Sequence, residues 1–172
     1  MKPLNKNQII HINKYLLAAK QCCMIISLAI MYDQFEANDG QMQNAITLYK
    51  QETAKYKTWL PAEVKRARDD FQKVAKTYKG AQLNGDISKV GFRSDVNQMI
   101  WNTEACCLYV MLRILRSFFK ANYEQLDFFM DKYDEFNKAY AAGEQTSMRD
   151  LSHQLYEITG FDILKIEKGL AV

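Results

Sequence analysis

NQMIWNTEACCLYVMLRILRSFFKANYEQLDFFMDKYDEFNKAY, residues Asn97 to Tyr140, repeats a pattern that the chain has already shown once. Shifted by 84 positions, the distance from Cys22 to Cys106, it falls without a gap on Asn13 to Tyr56. Eleven pairs are identical: Asn13/Asn97, Cys22/Cys106, Cys23/Cys107, Leu28/Leu112, Ile30/Ile114, Phe35/Phe119, Ala37/Ala121, Asn38/Asn122, Gln41/Gln125, Tyr49/Tyr133 and Tyr56/Tyr140. Other pairs, such as Ile12/Val96, Leu16/Ile100, Ile26/Val110 and Met42/Leu126, stay apolar. An ungapped match with paired cysteines and matching helix caps points to an internal duplication.

Within each copy the apolar residues recur at three and four. Ile9, Ile12, Leu16, Ala19, Cys23, Ile26 and Ile30 make one helical stripe, opened by Asn5 with Gln8 three residues on as a capping box. From Cys22 to Met31 the helix is apolar nearly all round, the mark of a central rod with neighbours on several sides. Asn38-Asp39-Gly40 is expected to end it, and Asn38 with Gln41 to cap a second helix carrying Met42, Ala45, Ile46, Tyr49 and Tyr56. Pro61 starts a third, with Val64, Ala67, Phe71, Val74 and Tyr78 as its buried side. Ser94 caps the second long helix, and Asn122 with Gln125 its partner. Thr146 or Ser147 caps the last clear helix, whose Met148, Leu151, Leu155 and Ile158 fall on Val64, Ala67, Phe71 and Val74 at the same shift.

The expected fold is therefore all-α. One domain of two three-helix repeats, about 5–80 and 94–160, is related by a pseudo-twofold axis, with a four-helix core and two covering helices. The linker 81–93 breaks the pattern: Asn84-Gly85 with Leu83, Ile87 and Val90 reads as a short β-hairpin or an extended arm. The tail 161–172, with Ile163, Leu164 and Ile166, reads as a second arm or short helix. Cys22, Cys23, Phe35, Cys106, Cys107 and Phe119 are the expected duplicated core.

Chemistry is harder to find. The chain of 172 residues carries a formal net charge of +3, too small to imply a nucleic-acid partner by itself. No secretory signal is visible, and the Cys22 to Met31 run looks too short to span a bilayer. Adjacent cysteines on a helix point about 100° apart, so neither pair closes a disulfide readily, and a reducing location is expected, cytoplasmic or within a virion. A di-metal carboxylate site needs Glu-x-x-His on facing helices, but Gln8 precedes His11 and Asp150 precedes His153. Zinc sites space their cysteines apart, which these pairs do not. Thiols in apolar runs make dull nucleophiles, and Gly80, Gly85 and Gly91 form no phosphate loop. The expectation is a non-enzyme without metal or cofactor.

Charge offers more. Lys65, Arg66, Arg68, Lys73 and Lys76 form a basic region, and Glu124, Asp127, Asp131 and Asp134 an acidic helix face. Opposite charges on two surfaces favour head-to-tail contact between subunits, the geometry of rings. The main expectation is a structural subunit of a larger homo- or hetero-assembly. By analogy of fold class, phage head–tail adaptor and connector rings are examples. One alternative is a helical module that binds nucleic acid through the basic 50–93 region, with Tyr49, Tyr56, Trp59 and Tyr78 nearby. Another is a small molecule or metal held inside the bundle.

Overall fold

A computed structural model describes residues 5–80, 94–141 and 148–160. Among them the chain is all-α, with no strands: α1 (Lys6–Phe35), α2 (Asp39–Thr53), α3 (Pro61–Val74), α4 (Ser94–Ser117), α5 (Tyr123–Ala141) and α6 (Met148–Thr159). The expected hairpin or arm with Leu83, Ile87 and Val90, and the tail with Ile163, Leu164 and Ile166, lie outside the described residues.

α1 begins as its sequence dictates. The Asn5 side chain accepts from Gln8 N at 2.9 Å, and Gln8 Oε1 accepts from Asn5 N at 3.0 Å, satisfying two otherwise unpaired N–H groups. Its first turns are exposed, Ile9 and Ile10 included, and every residue from Cys23 to Met31 is buried. α1 packs on α4, α2, α5 and α6, which is why a helix apolar on all sides is stable here. By length and composition α1 is also apolar enough to cross a membrane, against the expectation that this run is too short. Yet 67% of its most apolar window is covered by the protein itself, as in the core helix of a bundle.

Both long helices stop in the same way, and earlier than the glycine in Asn38-Asp39-Gly40 suggested. Glu36 turns into the left-handed region (φ 51°), and Ala37 N donates back to Met31 O at 3.0 Å. Lys120 does the same (φ 59°), and Ala121 N donates to Leu115 O at 3.0 Å. Each closes a six-residue loop over the helix end. Neither position is glycine, so each left-handed residue costs about 1 kcal/mol or more. Both exits lead straight into a capping box, Asn38 with Gln41 and Asn122 with Gln125.

α2 then buries Met42, Ala45, Ile46 and Tyr49, and α5 buries Leu126, Phe129 and Tyr133. Tyr49 Oη donates to Lys20 O at 2.9 Å, tying α2 to α1, while Tyr133 Oη reaches Glu104 Oε1 on α4 at 3.4 Å. Lys20 and Glu104 are themselves 84 positions apart. α2 and α5 each pack on both α1 and α4, so these four form the core. α3 covers α4 and α6 covers α1. A second, smaller apolar cluster of Ile12, Leu16 and Val96, with Trp59, Met99 and Ile100 against it, closes the far end of the α1–α4 pair.

α3 departs from its expected pattern. Ala67 and Phe71 are buried, but the helix ends at Val74, which is 37% exposed. Past the helix end Ala75 enters the core in place of Val74, and Tyr78 is buried as expected, though from a turn rather than from the helix. Tyr78 meets Phe71 edge-on at 5.8 Å and lies against Tyr123 at 5.6 Å.

Candidate docking site between the two halves

The left-handed exits bring the ends of α1 and α4 beside the starts of α2 and α5. Between them lies a half-open cavity of about 120 Å³. Buried Met31 and Leu115 close its inner side, with the small side chains of Ala37 and Ala121 leaving the space. Phe35 and Phe119, both half-buried, and the exposed Gln41 and Gln125 stand at the mouth. Each of these four pairs is separated by 84 positions, so the two halves contribute equivalent residues.

The capping boxes orient the glutamines. Gln41 Oε1 accepts from Asn38 N at 3.0 Å and Gln125 Oε1 from Asn122 N at 2.9 Å, which leaves both Nε2 groups as donors at the mouth. Further aromatic side chains lie on or next to the same segments. Phe128 stands edge-on to Phe35 at 6.2 Å, one turn before Phe35 lies Tyr32, and beside Phe119 lies Phe118. Tyr32, Phe118 and Phe128 are 41%, 57% and 40% exposed, although each is large and apolar. Other large hydrophobics are exposed elsewhere among the described residues, Ile9 and Ile10 in the first turns of α1 included.

The charges there are mostly negative. Glu36 forms the left-handed exit, Asp39 and Glu124 sit in the first turns that carry the glutamines, and Asp131 follows Phe128 on α5; all four are exposed. Three cations stand nearby, and one of them, Arg116, donates from Nη1 to Ala121 O at 2.9 Å. Lys132 pairs with Glu135 at 2.6 Å and lies over the Phe128 ring, and Lys120 donates to Ser117 O at 2.7 Å.

The basic residues Lys65, Arg66, Arg68 and Lys73 of α3 and Lys76 just after it are all exposed, but three of the five are already partnered. Arg66 pairs with Glu63 at 2.9 Å, donates to Lys55 O and lies over the Tyr56 ring at 4.6 Å. Lys73 pairs with Asp70 at 2.6 Å, and Arg68 with Asp69 at 3.7 Å. The Lys73 ammonium holds the Asp70 carboxyl below its usual range, and burial with the Asp70 bond pushes the Tyr56 hydroxyl up to about 12. Lys65 and Lys76 have no ion pair among the described residues. Of the acidic face, Glu124, Asp127, Asp131 and Asp134 are exposed on α5. The two charged regions meet at a seam: Thr77 Oγ1 lies 3.1 Å from Tyr123 Oη, and Asp127 stands against Gly80 and Tyr78.

The cysteines lie deep. Cys23, Cys106 and Cys107 are buried, Cys22 is half-buried, and none is in a disulfide. Burial pushes the Cys106 and Cys107 thiols up to about 12 and Cys23 well above its ordinary range, with Tyr49 and Tyr133 close by. Phe35 and Phe119, expected in the core with them, pack against it but are only half-buried and also line the cavity. His11 and His153 are exposed, and among the described residues no three His, Cys, Asp or Glu groups gather as metal ligands would. The buried Glu104 carboxyl is raised by burial, which the Asn137 and Tyr133 hydrogen bonds partly offset.

Met31, Ala37, Gln41, Leu115, Ala121 and Gln125 were not singled out from sequence as site residues. A signal was present: four of the eleven repeat identities, Phe35, Ala37, Asn38 and Gln41, fall within seven positions. No family model, curated protein or solved structure matches this chain.

Proposed function

We propose that the chain is a non-enzymatic structural subunit of a larger assembly, of the kind that forms adaptor or connector rings, and that its two halves are copies of one helical unit. The observation that carries the assembly reading is the exposure of three aromatic side chains, Tyr32, Phe118 and Phe128, on or next to the segments that line the cavity. Large apolar side chains held out of a well-packed core in this way are stabilised when a partner covers them. The acidic α5 face and Lys65 and Lys76, which have no ion pair among the described residues, supply charge for orienting such a contact. The raised thiols argue against a cysteine nucleophile. Four cysteines outside any disulfide favour a reducing, intracellular location. The duplication is supported by matching caps, matching left-handed exits and matching tyrosine ties.

Light scattering after size exclusion tests the assembly. The expected mass is a multiple of the 20.0 kDa chain, or that of a complex with a partner from the native source. The combined Phe118→Asp and Phe128→Asp variant is expected to return it to monomer. A wild-type monomer at every concentration, with no partner co-eluting, contradicts the proposal. The nucleic-acid reading draws mainly on Lys65 and Lys76, since Arg66, Arg68 and Lys73 are engaged within the chain.

A further inference from the structure

The cavity between the helix ends says what kind of partner the aromatic end would take, an inference that rests on the assembly reading above. Three features have to be matched together. The space is about 120 Å³ and half-open, and its lining includes the apolar side chains of Met31, Leu115, Ala37 and Ala121 beside the two glutamines. An enclosed apolar cavity of about 150 Å³ holds one benzene ring, so this one suits a single Leu, Met or Phe side chain rather than a cofactor. The mouth offers two amide donors, Gln41 Nε2 and Gln125 Nε2, whose oxygens are committed to the capping boxes. Amide donors from both halves beside apolar lining fit an apolar side chain whose flanking main-chain carbonyls accept from them. The exposed acids Glu36, Asp39, Glu124 and Asp131 lie on the segments that line the cavity and outnumber the cations there that no carboxylate offsets, Lys120, bonded to Ser117 O, and Arg116, bonded to Ala121 O, while Lys132 is paired with Glu135. That excess of negative charge repels an acidic segment and attracts a basic one.

We infer that this cavity is the docking site for a basic segment of a partner protein, which inserts one apolar side chain between Ala37 and Ala121. The aromatic side chains Phe35, Phe119 and Phe128 then close over the anchor and exclude water from it, the arrangement in which one buried residue dominates an interface. Because the lining comes in equivalent pairs, the anchor meets the same groups from both halves, and both glutamines respond to it.

The test is a titration of the full chain, followed by NMR at the Ala37 and Ala121 methyls and the Gln41 and Gln125 side-chain amides. The probes are four: the acetylated, amidated pentapeptide Lys-Lys-Leu-Lys-Lys, its Ala-centred form, its Glu-flanked form and toluene. The expected result is saturable shifts at both methyls and both amides with the basic Leu peptide, at least tenfold tighter than with the Ala-centred or Glu-flanked form. Ala121→Leu, which fills the space, is expected to weaken that binding at least tenfold. Ala37→Leu does the same from the other half and serves if the first variant does not fold. Glu124→Lys combined with Asp131→Lys is expected to weaken it several-fold while leaving the helical signal unchanged.

Equal affinity for the Leu- and Ala-centred peptides, or no shift at these four residues with the basic Leu peptide, overturns the inference. Saturable toluene binding without the peptide preference reassigns the cavity to a small apolar ligand. Shifts that appear on raising protein concentration alone reassign it to a second copy of the chain. If the peptide fails while light scattering still shows an assembly that Phe118→Asp and Phe128→Asp dissolve, only the cavity assignment falls. A monomer in that experiment removes the assembly reading itself.

Discussion

The halves 5–80 and 94–160 agree where the chain turns and differ in how firmly the third helix is held. Both leave the long helix through a left-handed residue, both cap the next helix with Asn and Gln, and both send a tyrosine back to the long helix. The third helices are unlike. α3 buries Ala67 and the whole Phe71 ring against α4, and the segment leading into it is fastened by Asn102 Nδ2 to Trp59 O at 2.9 Å and by Thr58 to Thr103 at 3.4 Å. Glu52 and Arg113 join α2 to α4 just before it. α6 rests on α1 and α2 through Leu155, Ser152 and the half-buried Leu151. Two similar sequences thus share turn geometry, while one half supplies more of the packing.

The largest contrast should appear in thiol chemistry. With Cys106 and Cys107 pushed up to about 12, only on the order of one thiol in ten thousand is ionised at pH 8, and both are buried as well. A thiol reagent is expected to modify half-buried Cys22 in the native chain and its counterpart Cys106, with Cys23 and Cys107, only on unfolding. Mass spectrometry of a native labelling time course reads this, and equal labelling of Cys22 and Cys106 would erase the contrast.

Next comes packing. Phe71→Ala empties a fully buried site and is expected to destabilise by about 4 kcal/mol, whereas Leu155→Ala at the end of a lightly held helix should cost about 2 kcal/mol. Urea denaturation measures both. Equal losses would mean that α6 carries as much of the fold as α3.

The tyrosine ties give the smallest difference, and it depends on pH. Tyr49 donates to a carbonyl, which does not titrate, so Tyr49→Phe should cost about 1 kcal/mol at any pH from 5 to 8. Tyr133 donates to Glu104, whose carboxyl burial raises above 4.5. The folded chain therefore holds that proton more tightly than the unfolded chain. This contribution to stability is greatest at low pH and is lost as pH rises through the folded value. Removing the Tyr133 hydroxyl raises the carboxyl further, so Tyr133→Phe should lose ground to wild type as pH climbs above the ordinary carboxyl range. Denaturation midpoints of both variants across pH check this, and parallel profiles would contradict it.

What could be read in advance follows from how local each feature is. The boxes Asn5/Gln8, Asn38/Gln41 and Asn122/Gln125 need only residues three apart, and all three form as expected. The all-round apolar run in α1 likewise announced a central helix. The breaks ahead of Asn38 and Asn122 were expected, but the left-handed exits at Glu36 and Lys120 were not, because neither residue signals such a turn and Gly40, the visible breaker, lies inside α2. Val74 was misplaced because a periodic stripe carries no mark of where its helix stops, and Tyr78, buried as expected, reaches the core from a turn past the helix end. The cavity exists because Ala37 and Ala121 meet across the halves, a contact no single stretch of sequence contains, although the crowding of identities near Phe35 pointed to it.

The claim beneath all of this is that two alike helical hairpins stabilise each other and that neither stands alone. Native-state hydrogen exchange tests it most directly at the backbone amides of 23–31 in α1 and 106–115 in α4. The account predicts that both stretches exchange only through global unfolding, with the same free energy of opening, equal to that from denaturation. One stretch opening through a partial unfolding several kcal/mol cheaper than the other would contradict it.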